Sequence, residues 1–117
     1  MKTILILLTF FVFVFFSVPA SAQLKPGNAE NGKRLFMFNA CYQCHGTVGQ
    51  GGAAGARLAQ TKLTLPGFIA FVRNPPPSNM PPYRAKIMSD QELADVYALI
   101  QTFPAPLNPA NIPLLKE

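Results

Sequence analysis

Cys41-Tyr42-Gln43-Cys44-His45 holds both cysteines and the single histidine of this 117-residue chain. Its reading decides the fold, because a small chain that commits all three to five positions organises itself around whatever they bind. A disulfide between residues three apart closes a very small loop and constrains the unfolded chain weakly, so a structural staple is the poorer explanation. A thiol–disulfide redox pair wants a βαβ setting with the first cysteine opening a helix. Here the flanks read as helical before Cys41 and glycine-rich after it. A tetrahedral zinc site would need a fourth ligand, and the chain has no third cysteine or second histidine.

The favoured reading is covalent attachment of haem. C-x-x-C-H spaces two thiols to add to the two vinyl groups on one edge of a porphyrin and sets the following histidine beneath the iron. Cys41 and Cys44 are then the thioether residues and His45 an axial ligand. A flat apolar cofactor also adds core to a chain too short to bury much surface alone.

Three methionines outside the N-terminal stretch compete for the opposite face of the iron: Met37, Met80 and Met88. Met37 stands four residues before Cys41, on the segment leading into the attachment turn. Met88 precedes a helix start and reads as core. Met80 lies in Pro75-Pro76-Pro77-Ser78-Asn79-Met80-Pro81-Pro82-Tyr83, where five prolines disfavour helix and central strand and leave little freedom to lose. A thioether is a weak ligand, so such a loop favours its bond, and Met80 is the expected second axial ligand.

Outward from the motif, Asn28 caps a helix expected over 29–39, with Glu30 in its first turn. Gly32 in that interior points to a close approach by another element. A second helix is expected over 66–73, with Pro66 at its first position and its end set by Pro75. Ser89-Asp90-Gln91-Glu92 is a capping box, followed by Leu93, Val96, Tyr97 and Ile100 at helical spacing, so 89–102 is an amphipathic helix. Strand signals are nearly absent, and the expected fold class is all-α. The tail, 104–117, holds four prolines and is expected to be extended.

The N-terminus reads as an address. Lys2, an apolar run from Ile4 to Val18 and Ala20-Ser21-Ala22 have the layout of a secretory signal peptide cleaved after Ala22. An uncleaved membrane anchor is the alternative, although about 15 apolar residues are short against the roughly 20 that span a bilayer. The expected organisation is residues 1–22 signal peptide, 23–27 linker, 28–103 domain and 104–117 tail. Removing 1–22 leaves nine basic against five acidic side chains, a formal +4. The cations are scattered, which does not fit a nucleic-acid-binding tail and suits weak docking to acidic partner faces.

These residues together resemble the class I, mono-haem cytochromes c of the small bacterial exported kind. The resemblance covers nearly all of 28–103 and rests on Gly32 and Phe36, Cys41 to Gly46, Asn79 to Tyr83, and Glu92 to Ile100. It implies a small cytochrome c fold of three or more helices around one covalent haem c. It also implies that the first and last helices cross at a contact of Gly32 and Phe36 with Tyr97. Family members often carry Gly-Pro-x-Leu after the motif, the proline carbonyl accepting from Nδ1 of the proximal histidine. The matching residues here are Gly55-Ala56-Arg57-Leu58. Proline acts there as an acceptor, so the Ala56 carbonyl can take that part. Arg57 is a candidate partner of a haem propionate, or an exposed cation.

The implied function is electron transfer between exported redox partners, such as a dehydrogenase, a cytochrome complex or a terminal oxidase, with no catalytic residue. A haem module that binds small ligands and an electron-transfer subunit of a larger complex are the alternatives. An enzyme would need an open iron position and a polar distal group, and His45 is already used.

Overall fold

The computed structural model describes residues 23–115, and the expected signal peptide lies outside them. The fold is all-α, built from α1 (Ala29–Phe38), α2 (Cys41–His45), α3 (Leu65–Arg73) and α4 (Asp90–Thr102). Among the described residues no strand forms, and the only ladder fragment is a bridge between Gly52 and Gly55.

Each longer helix starts where a side chain satisfies its first amides. The Asn28 side chain accepts from the amides of Glu30 and Asn31. Thr64 does the same for Gly67, with Pro66 at the second helical position and not the first. Ser89 and Glu92 form the reciprocal capping box, each side chain accepting the other's backbone N–H. α1 ends one residue earlier than the sequence suggests, because Asn39 leaves helical geometry and closes it as the C-cap.

α1 and α4 cross tightly. A Cβ built on Gly32 would collide with the Asp95 carbonyl, and one on Gly27 with the Ala94 carbonyl, so both glycines permit backbone contact. The crossing sits on a core of Leu35, Phe36, Phe68, Val72, Met88, Leu93, Val96, Leu99 and Ile100. Phe36, Leu93 and Ile100 are fully buried, each contributing about 1.5–3 kcal/mol by removal from water.

The aromatic partner of Phe36 differs from the one the family resemblance implies. Its ring meets Phe103 edge-to-face, with centroids 5.7 Å apart. Tyr97 instead packs on Phe68 of α3 at 5.6 Å and donates its hydroxyl to the Leu63 carbonyl. The cause lies in the register of α4: Asp95 and Leu99 face Gly32, and Tyr97, two positions from each, turns toward α3.

Asp95 is the one buried charged residue among those described, 6% exposed. Its carboxylate accepts from the Asn28 amide at 2.8 Å, from Asn31 Nδ2 at 2.6 Å and from Gln91 Nε2. Burial alone would push its carboxyl up, but these donors outweigh burial and hold it below the usual carboxylate range.

The tail is not extended throughout. Pro109–Asn111 and Pro113–Leu115 each make one 3₁₀ turn, the first capped by Asn108. Its root is fixed: Arg57 donates to the Pro104 carbonyl and Gln60 to that of Phe103. Arg57 therefore has a protein partner in this structure.

Candidate haem site

Between α1 and the motif the chain turns at Ala40, which takes left-handed geometry at φ 57°. A non-glycine residue there is uncommon and strained. The turn lets α2 start at once, so Cys41 to His45 form a helical turn of their own. Residues three apart on a helix lie on one side of it, so Cys41 and Cys44 share a face. Both thiols are free and half-buried.

Burial pushes the Cys41 thiol up, and the neighbouring Cys44 adds to the shift, against an opposing hydrogen bond with Tyr83. A redox-active CxxC needs the reverse, a thiol held low. Among the described residues no cluster of three or more His, Cys, Asp or Glu side chains has metal-binding geometry.

His45 Nδ1 lies 2.6 Å from the Ala56 carbonyl oxygen. A carbonyl only accepts, so Nδ1 carries a proton, and Nε2 is the nitrogen left for a metal to bind in the neutral ring. The loop 46–59 is folded back beneath α2 to make this contact. The Gly51 amide donates to the His45 carbonyl, and the amides of Leu58 and Ala59 both donate to that of Gly49. Gly46, at φ 80°, ends α2, and a Cβ on Gly55 would lie 2.7 Å from the Cys44 carbonyl oxygen. His45 is thus oriented by the Ala56 carbonyl, with no proline at that position.

The three methionines separate by environment. Met88 is 2% exposed in the core, while Met37 is 45% exposed on α1. Met80 is half-buried and packs against the same core that Cys41 and Tyr42 touch. A cleft of about 640 Å³ opens beside Met80, between Arg73, Pro75 and Arg84. Cys41, Cys44 and His45 do not line this cleft. The structure therefore joins the three motif residues on one turn, and of these Cys41 packs on the core that Met80 also touches.

Two residues to which the sequence reading gave no role of their own fasten the Met80 segment. The Tyr83 amide donates to the Val72 carbonyl at 3.1 Å, and its hydroxyl donates to that of Asn39 at 3.0 Å, two residues before Cys41. Arg73 donates to the Tyr83 carbonyl and pairs with Asp90. Arginine closing a helix just before a proline-rich loop was the available signal.

Two same-face thiols and an imidazole with its outer nitrogen engaged have the chemistry that a c-type haem needs. The sequence profile of the family described as cytochrome c oxidase, cbb3-type, subunit III matches residues 27–100. Neither the curated proteins nor the solved structures hold a match to this chain. The matched span runs from the glycine at the helix crossing to the last core residue of α4, and on it the chain belongs to the cytochrome c oxidase, cbb3-type, subunit III family of c-type cytochromes.

Proposed function

We propose that this protein is an exported mono-haem electron carrier, with Cys41 and Cys44 as the thioether residues and His45 and Met80 as the axial ligands. The observation that supports this reading is the bond between His45 Nδ1 and Ala56, which orients the imidazole and leaves Nε2 available to a metal. Haem bound there supplies a one-electron ferric/ferrous couple. The chain's part is to keep both axial side chains in place in either state. His45 is held by the Ala56 carbonyl and Met80 by a loop with five prolines. No side chain has to move a proton, so the protein acts as a conductor.

Export follows from the reading of residues 1–22, with cleavage after Ala22 and a periplasmic location. Among the described residues no helix is long and apolar enough to cross a membrane. The family match favours service as the electron-transfer subunit of an oxidase complex over a free carrier. Exposed Leu107, Leu114 and Leu115 in the tail are consistent with an assembled state. The formal +4 of the exported chain suits salt-sensitive docking to an acidic partner face.

Met80→Ala tests the ligand set. The variant should retain covalent haem, lose the weak charge-transfer band of Met-ligated ferric iron, bind carbon monoxide rapidly when reduced and show a lower reduction potential. A spectrum unchanged from wild type would remove Met80 from the iron. Rapid carbon monoxide binding by the wild type would favour a ligand-binding module instead.

A further inference from the structure

The connection from α3 to α4, residues 74–89, carries Met80 yet buries a single side chain, that of Met88. Its five prolines have no N–H to donate. Within the segment around Met80 the Met80 amide reaches only the Ser78 hydroxyl, at 3.2 Å. What holds this loop is concentrated at its base.

That base is organised by one guanidinium. Arg73 ends α3, with its side chain 14% exposed. One terminal nitrogen donates to the Tyr83 carbonyl and the other to the carboxylate of Asp90, the first residue of α4. Tyr83 is itself bonded to Val72 through its amide and to Asn39 through its hydroxyl. Arg73 thus draws together both ends of the connection and the residue that ties it to the attachment turn.

We propose that Arg73 is the positioning residue that keeps the Met80 loop closed, and so sets how readily Met80 leaves and a small ligand enters. The inference rests on Met80 ligation. The planar fork of arginine can serve a carbonyl and a carboxylate in fixed directions at once, whereas lysine offers a point charge. Its position at the C-terminus of α3 also suits a cation. Opening the loop breaks the Arg73 bond to the Tyr83 carbonyl, while the pair with Asp90 keeps the guanidinium aimed at that carbonyl.

The test uses haem-loaded protein: wild type, Arg73→Gln, Arg73→Lys, Asp90→Asn, and Asn31→Ala as a control that loosens the α1–α4 crossing. Carbon monoxide association with the reduced form and persistence of the ferric Met charge-transfer band on raising pH are read beside the denaturant midpoint. Arg73→Gln should speed association about tenfold or more and lose the band at lower pH. Arg73→Lys and Asp90→Asn should fall between it and wild type. Asn31→Ala should lower the denaturant midpoint with association unchanged.

A wild-type association rate in Arg73→Gln, with the band present in wild type, overturns the inference. If Arg73→Gln fails to accumulate, wild-type rates in both Arg73→Lys and Asp90→Asn overturn it. An equal acceleration in Asn31→Ala would make the effect one of general stability and also overturn it. Absence of the band from wild type would instead overturn Met80 ligation.

Discussion

The α1–α4 crossing and the turn and loops that carry Cys41, His45 and Met80 are held by opposite means. At the crossing, side chains do the holding: Phe36, Leu93, Leu99 and Ile100 are buried, and Asp95 is bonded to both helices. Across the site, carbonyls and prolines do it, and Cys41, Cys44, His45 and Met80 all remain half-exposed. The crossing is a packed interface that tolerates little change in volume. The site is a set of restrained loops that present polarizable atoms, and its stiffness comes from the backbone.

The sharpest way to break this contrast is at the glycine. Gly32→Val drives a branched side chain into the Asp95 carbonyl, and should cost about 3 kcal/mol or more in chemical denaturation. The spectrum of whatever protein still folds should be that of wild type. If the cost were under about 1 kcal/mol, the crossing could relax and the contrast would fail.

Asp95→Asn is the next largest. It turns an acceptor of three donors into a group that is itself half donor, and should destabilise by about 1–3 kcal/mol. Because the folded-state carboxyl is held low, its contribution is complete above the ordinary carboxylate range. That contribution declines below about pH 4, as pH falls through the folded value. Acid titration of wild type and variant should therefore converge at low pH, and parallel curves would refute the account.

Tyr83→Phe should have the smallest effect on stability and a local one. Losing the hydroxyl bond to Asn39 costs about 1 kcal/mol, and amide exchange should quicken around residues 78–84 with little change in α1 and α4. Uniform quickening would mean that the loop and the crossing behave as one unit.

Much of this contrast was legible in the sequence, for reasons that differ by region. α4 announces itself through its capping box and α1 through Asn28, since caps are local chemistry. CxxCH is legible through its spacing, and the Ala56 acceptor through the family resemblance, since a backbone carbonyl depends little on its side chain. What escaped is non-local or unusual. No pattern marks Ala40 for left-handed geometry, since alanine gains nothing there. Phe103 displaced Tyr97 as the partner of Phe36 through a register that only the packed crossing determines. The Arg73 clamp joins residues 10 and 17 positions apart across a proline loop, and the tail's 3₁₀ turns follow from Asn108 and the prolines beside it.

The polar contacts of Asp95 span 64 and 67 positions of sequence. The domain's best-packed contact therefore forms only when its two ends meet, and everything that would grip a haem lies in the loop they close. Such long-range closure costs chain entropy before any contact repays it, which slows folding. The topology orders events in time: the CxxCH turn is synthesised before α4, the helix that completes the core.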